Sequence, residues 1–249
     1  MDVYSADRSL KGKLRRRLAK LFLRRKAQNR ISTPLITISF DDAPQSAALI
    51  GAEILKRHGL KATYFISGGL MGKDSPSGLC AHEDEIRALD QAGHEIACHT
   101  YSHLDCGKAS GAHIDQDLQK NNAVFSAMGI RPETFAFPYG DVSLQAKFIT
   151  LNHFKLSRAL HKGLVIKGSD LNQAPAVGIE DANGLSEALK WMDEAIKQPS
   201  WLILYTHDVC DNPSAFGCTP ETLETIILAA KAKGFRFVTC AEGADLLGA

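Results

Sequence analysis

From residue 34 onward, short β-branched or aromatic runs alternate with longer amphipathic stretches. The runs predict strands over 35–40, 62–66, 94–98, 134–137, 155–160, 202–206 and 235–239, seven in all. Between them, 45–58, 83–92, 114–128, 144–152, 185–197 and 220–233 repeat apolar residues at helical spacing. Several of these helices are expected to stop at a glycine just past the last turn, at Gly59, Gly93, Gly129 and Gly234. Strand, helix and strand in repetition make a parallel sheet, because a parallel partner is reached only through a crossover. The run Trp201-Leu202-Ile203-Leu204-Tyr205 is continuously apolar, as a strand covered on both faces requires. A barrel or a doubly wound sheet is therefore the expected α/β architecture.

The first 33 residues read differently. Leu10, Leu14, Leu18, Leu21 and Phe22 recur at helical spacing while Arg and Lys fill the positions between, which predicts a basic amphipathic helix. Two readings stand side by side. In one the helix lies on an anionic membrane surface; in the other Leu14, Leu18 and Phe22 cap the body and the basic face is solvated. The expected organisation is thus a basic segment over 1–33 and one body over 34–249, with no repeat or low-complexity linker in the body.

Charge sharpens this division. The net charge is +1, yet residues 1–30 hold eleven Lys or Arg against Asp2 and Asp7, so the rest of the chain carries the acidic balance. With 249 residues, 45% hydrophobic and 23% charged, the composition is that of an ordinary globular protein and excludes disorder, collagen and a disulfide miniprotein. No apolar run is long enough for a membrane-spanning helix, and the tail lacks the pattern of a cleaved secretory leader, so a cytoplasmic location is expected, at the inner face of the membrane in the first reading of the tail. The six cysteines show no C-x-x-C spacing and are read as reduced and structural, with a Cys210–Cys218 bridge left open. The basic tail has no aromatic or glycine platform beside it, so no nucleic acid is expected as partner.

In parallel α/β folds, functional groups gather past the carboxyl ends of strands. Here four strands run into titratable residues: Asp41-Asp42, His99-Thr100-Tyr101-Ser102-His103, Pro138-Tyr139-Gly140-Asp141 and His207-Asp208. Two histidines four apart can face one point, and a carboxylate oxygen with two imidazoles suits zinc or a similar divalent ion. Asp42 or Asp41 can supply that oxygen. Alone, Asp42-Ala43-Pro44 would read as a helix cap, and a lone histidine such as His207 as a core residue; their convergence makes them a candidate site. The remaining histidines are read as surface or structural.

Ser39-Phe40-Asp41-Asp42, the 99–103 segment, Phe135-Ala136-Phe137-Pro138-Tyr139-Gly140 and Leu204-Tyr205-Thr206-His207 resemble, in order and spacing, the motifs of the polysaccharide deacetylase superfamily, the NodB-like carbohydrate esterases, over about residues 34–245. The resemblance implies a distorted (β/α) barrel of about seven parallel strands preceded by the basic helix. It implies a divalent metal, zinc first, held by Asp42, His99 and His103, with Asp41 as general base and His207 as general acid. Pro138 and Tyr139 would line the groove, with the Tyr139 amide at the oxyanion. An acetylated polysaccharide or oligosaccharide would be the substrate.

Three departures from that pattern stand out. Ala43 replaces a glycine. Ala136 stands where an arginine usually partners the base, which makes Arg158 of the next strand its expected replacement. No motif that orients the acid histidine is evident, and Asp170 and Asp181 are candidates by position only. Hydrolysis of a cyclic amide, as in allantoinase-like relatives, and a non-catalytic carbohydrate-binding protein are the competing readings. The first sits poorly with an intact metal triad, and the missing arginine leaves room for the second.

Overall fold

The computed structural model describes residues 9–180 and 183–249. Ten strands occur in it: β1 (Leu35–Asp41), β2 (Thr63–Ile66), β3 (Asp74–Ser75), β4 (Gly78–Leu79), β5 (Glu95–Cys98), β6 (Thr134–Ala136), β7 (Leu156–Arg158), β8 (Val177–Gly178), β9 (Trp201–Thr206) and β10 (Arg236–Phe237). The helices are α1 (Leu10–Leu21), α2 (Ala52–Arg57), α3 (Glu83–Gln91), α4 (Gly111–Met128), α5 (Leu144–His153), α6 (Gly184–Lys197), α7 (Pro220–Ala232) and α8 (Cys240–Leu246), and a π-helical turn, Ala47–Gly51, leads into α2. The expected stop signals hold: Gly59, Gly93, Gly129 and Gly234 all have φ between 68° and 84°.

The large sheet runs β7-β6-β5-β2-β1-β9-β8, with β10 beside β1, and every neighbouring pair is parallel. The chain at 174–178 closes the ring. Ala174 exchanges hydrogen bonds with Ser157 and Ala159 on the β7 side, while Val177 and Gly178 pair with Leu204 and Tyr205 of β9. The result is the expected distorted (β/α) barrel.

Alternation along the strands sorts the core into two layers. Ile36, Ile38, Phe40, Tyr64, Ile66, Leu202 and Leu204 point outward under the helices. Leu35, Phe65, Ala97, Ala136, Ile203 and Tyr205 point into the barrel. Polar residues inside are matched in pairs: Trp201 Nε1 donates to Thr37 Oγ1 at 2.9 Å, and Ser39 Oγ to the Leu204 carbonyl at 2.8 Å. At the amino-terminal ends of the strands α8 closes the barrel, with Gly243 against the Trp201 indole so closely that a Cβ would overlap the ring.

Three features depart from the expectations. The two-residue strands β3, β4 and β8 carry no periodic signal and went unpredicted, as did the short α8. Between β7 and the helix expected over 185–197, which is present as α6, the chain inserts a 3₁₀ turn, Leu171–Gln173, and β8, while α1 packs on α5. Finally, α1 caps the body through a different face from the expected one: Gly12 and Ala19 are buried, whereas Leu14 and Phe22 are exposed. The chain after α1 is tied in by Ala27 N to the Ser169 carbonyl, Leu171 N to the Arg25 carbonyl and Gln28 N to the Leu247 carbonyl. All six cysteines are free thiols, Cys210 and Cys218 included. No helix among the described residues is long and apolar enough to cross a membrane.

Candidate metal centre and its acid and base

The carboxyl ends of β1, β5, β6, β7 and β9 meet at one mouth of the barrel, and each brings a site residue. Asp41 is the last residue of β1 and Asp42 the next. His99 follows β5, Pro138 and Tyr139 form the turn after β6, Arg158 ends β7 and His207 follows β9. Pairing of Phe40 with Thr206 sets Asp41 and His207 side by side at the ends of adjacent strands.

Asp42 does not cap a helix as the simplest reading of Asp42-Ala43-Pro44 would have it; Ser46 occupies the cap position of the following turn. Instead its Oδ1 lies 3.5 Å from His103 Nε2 and 3.9 Å from His99 Nε2. The three residues are buried, with one potential ligand atom from each mutually within 4.8 Å. His99 Nδ1 faces the Ala136 carbonyl at 2.8 Å, which places a proton on Nδ1 and leaves the Nε2 lone pair aimed at the cluster. Burial pushes the pKa of both histidines down to about 4, so both imidazoles are neutral, and it pushes the Asp42 carboxyl up. Asp42 Oδ1 has no hydrogen-bond partner despite its burial. A buried, unpartnered carboxylate oxygen facing two neutral imidazole nitrogens fits a divalent cation.

Asp41 has a different environment. Arg158 Nη2 donates to its two oxygens at 2.5 and 2.6 Å, and the Arg158 guanidinium lies over the Phe65 and Tyr205 rings at 4.9 and 5.1 Å. Burial pushes the Asp41 carboxyl up, yet Arg158, together with His99 and His207, outweighs it and holds the group below the usual carboxylate range. Arg158 thus occupies the place expected of it. The strand register explains how: Ala136 pairs with Arg158, so the two side chains point into the barrel from neighbouring strands, and the small residue on β6 leaves space for the large one on β7.

His207 turns Nδ1 toward Glu180 Oε1 and the Phe216 carbonyl, both at 3.2 Å. Burial opposes charge on this imidazole, but Glu180, with Asp41 and Asp42 nearby, pushes its pKa up to about 9. Glu180, not Asp170, is therefore its partner. Asp170 lies elsewhere, ion-paired with Lys147 and accepting from the Arg25 amide at 3.0 Å, and Asp181 falls outside the described residues. Tyr139 packs edge-on against His103, with ring centroids 4.5 Å apart. The next residue, Gly140, has φ 64° and so little room against Leu160 that a Cβ would clash.

The backbone holding these groups is strained. Six non-glycine residues among those described have positive φ, and five of them, Asp42, Ala43, Thr100, His103 and Tyr139, lie in the site loops. Each such residue costs on the order of 1 kcal/mol, and the surrounding bonds must hold it. Asp117 of α4 does so for the histidine loop: it accepts from Tyr101 N at 2.7 Å, Ser102 N at 3.1 Å and Ser102 Oγ at 2.7 Å. Beyond His207, Asp208 ties the following loop, accepting from Ser214 N at 2.8 Å and Ser214 Oγ at 2.6 Å. The sequence reading missed Asp117 and Glu180. Asp117 did carry a signal, since it falls between Ile114 and Leu118 on the core-facing stripe of its helix, where a carboxylate needs a reason.

Residues 28–153, half of the chain, match the sequence profile of the family described as polysaccharide deacetylase. The chain belongs to this family. Among curated members, the peptidoglycan-N-acetylglucosamine deacetylase of Listeria monocytogenes is 32% identical over 112 residues, 44% of this chain and 22% of that protein. The chitin deacetylase of Colletotrichum lindemuthianum is 24% identical over 211 residues, 84% of this chain and 78% of that one. The chain thus spans 22% of the length of the first relative. In fold it is similar to the family 4 acetyl xylan esterase of Clostridium thermocellum, solved with a cobalt ion: TM-score 0.59, 24% identity, 85% of this chain and 91% of that chain.

Proposed function

We propose that the chain removes acetyl groups, N- or O-linked, from a polysaccharide or oligosaccharide by metal-assisted hydrolysis. The observation that carries this reading is the buried Asp42 oxygen, unpartnered and facing two neutral histidines, with an ionised carboxylate on one side and a cationic imidazole on the other. Relatives named peptidoglycan-N-acetylglucosamine deacetylase, chitin deacetylase and bifunctional xylanase/deacetylase point the same way. Asp42, His99 and His103 would hold the divalent ion, zinc being the first choice for one oxygen and two nitrogen ligands. When bound, such an ion lowers the pKa of water and polarises a carbonyl.

The protein's own groups then divide the proton transfers. Asp41, kept ionised by Arg158, accepts the proton of the attacking water at a carboxylate oxygen. Because Arg158 grips that carboxylate from behind and is itself fixed between two rings, the base cannot swing away. Pro138 and Tyr139 would line the wall beside His103, and the Tyr139 amide would donate to the acetyl oxygen as charge develops there. His207 carries a proton at neutral pH and gives it from Nε2 to the departing sugar nitrogen or oxygen, Nδ1 being committed to Glu180. Water adds to the acyl carbon, the bond to the sugar breaks, and acetate and a sugar bearing a free amine or hydroxyl leave. The test is acetate release from acetylated chitin oligomers, peptidoglycan and acetylxylan by chelator-stripped protein before and after zinc or cobalt is returned. Metal-restored release supports the reading, and a protein that binds metal yet releases no acetate from any of them overturns it.

A further inference from the structure

Helix α1 presents its apolar residues to solvent. Leu10 is 84% exposed, Leu14 57%, Leu21 61% and Phe22 55%, while Gly12 and Ala19 are buried against the barrel. At about 100° per residue, Leu10, Leu14 and Leu21 share one face within about 40°, and Ala19 and Gly12 lie on the opposite side. Lys11, Lys13, Arg17 and Lys20 border the leucine stripe, all of them exposed, and the helix contains no acidic residue. Phe148 of α5, the helix on which α1 packs, is a further exposed apolar side chain.

The helix cannot roll to hide these leucines. Lys147, fully buried in α5, donates to the Ala19 carbonyl at 2.7 Å and pairs with Asp170. Arg15 pairs with the buried Asp141, and Arg25 Nη2 reaches the Leu151 carbonyl at 2.6 Å. Asn172 Nδ2 holds the Leu23 carbonyl at 3.0 Å. Rotation would break all of these and bury lysines, so the outward orientation is built into the fold.

An apolar stripe bordered by cations, with no anion among them, is complementary to a surface that is negative outside and apolar just beneath. A second α1 is not complementary to it, because two such helices would set lysine against lysine. We propose that α1 is a docking face for an anionic lipid surface, with Leu10, Leu14, Leu21 and Phe22 entering the headgroup region between Lys11, Lys13, Arg17 and Lys20. Arg15 joins this helix to Asp141, directly after the turn that carries Tyr139, so the helix itself lies beside one wall of the site. That a glycan on the same surface would thereby meet the site depends on the proposed deacetylation; the docking does not.

The test is co-sedimentation of the full chain with vesicles of phosphatidylcholine alone or with one-third phosphatidylglycerol, at low and high salt. Three proteins are compared: wild type, the triple change Leu10→Ser, Leu14→Ser and Leu21→Ser, and the quadruple change Lys11→Gln, Lys13→Gln, Arg17→Gln and Lys20→Gln. All seven positions are exposed, and thermal melts check that the variants fold as wild type does. Wild type should sediment with the anionic vesicles only and be released by salt; the quadruple change should partition at least about a hundredfold less, at roughly fivefold per charge removed, and the triple change at least about tenfold less through loss of apolar insertion. Equal partitioning of the three proteins, equal binding to neutral vesicles, or no binding to anionic vesicles at low salt would overturn the proposal. So would a dimer in sedimentation velocity that the triple change abolishes, which would give the face to a second copy.

Discussion

Replacing Arg158 with Met keeps most of the side-chain volume and removes the cation from a fully buried position. The Asp41 carboxylate, gripped at 2.5 and 2.6 Å, is then left without its counter-ion. Loss of one partner from a buried pair costs about 3–5 kcal/mol. The sign of the pH dependence separates this from ordinary packing loss. In wild type the folded pKa of Asp41 lies below its ordinary 3.8, so its contribution to stability is present above about pH 3.8 and lost as pH falls through the folded value. In Arg158→Met burial is opposed only by His99 and His207, so the folded pKa of Asp41 rises above its wild-type value. The variant should therefore regain stability relative to wild type as pH falls from 7 toward 4, and the acid limb of its kcat/KM profile should move to higher pH. Denaturant melts across that range measure the first effect, and acetate release the second. Because Ala136 pairs with Arg158 on the neighbouring strand, about 4.8 Å away and facing the same interior, Ala136→Arg combined with Arg158→Ala should recover much of what Arg158→Ala loses. Unchanged stability and an unmoved acid limb in Arg158→Met, or a relocated arginine that recovers nothing, would refute the reasoning.

Further predictions concern the supports of the site. Glu180→Gln removes the main group raising His207; since the protonated imidazole is the active form, the alkaline limb of kcat, set near pH 9 in wild type, should move toward neutrality, and a pH–rate profile reads this directly. By the same sign, the His207 contribution to stability is complete below its ordinary 6.5 and disappears as pH rises through about 9. Asp117→Ala orphans the Tyr101 and Ser102 amides and should lower stability by about 1–3 kcal/mol and zinc affinity about 10–100-fold, measured by melts and metal titration. Gly243→Ala improves helix propensity yet forces a methyl into the Trp201 ring, so a denaturant melt should show a net loss of about 1–3 kcal/mol.

What the sequence made legible follows from how the signals are built. Five of the seven expected strands end next to, or contain, a residue of the site or its wall, because a buried parallel strand is a continuous apolar run that stops at polar groups. Arg158 was legible as the partner of Asp41 because Ala136 left its usual partner missing and only one arginine stood on the next strand. Glu180 was not: it lies just past the two-residue β8, meets His207 at the end of the adjacent β9, and carries no periodicity that could tie it to that histidine. The two-residue β8 escaped for a related reason, since its strand character comes from its pairing with Leu204 and Tyr205 of β9. The tail shows the limit of apolar periodicity. Its leucines do share a face, as read, but the face that packs on the barrel is made by Gly12 and Ala19, where small side chains let the backbone approach and Lys147 reach the Ala19 carbonyl.

The central claim is that Asp41 acts as base beside a metal held by its neighbour Asp42, and Asp41→Asn tests it most directly. Metal content and acetate release should be measured together, on zinc-loaded wild type and variant and on the same acetylated glycan. The account predicts equal metal content and turnover lower in the variant by about 10²- to 10⁴-fold, the usual worth of a positioned proton transfer. Equal turnover, or a variant that has lost its metal along with its activity, would contradict the division of labour between the two carboxylates.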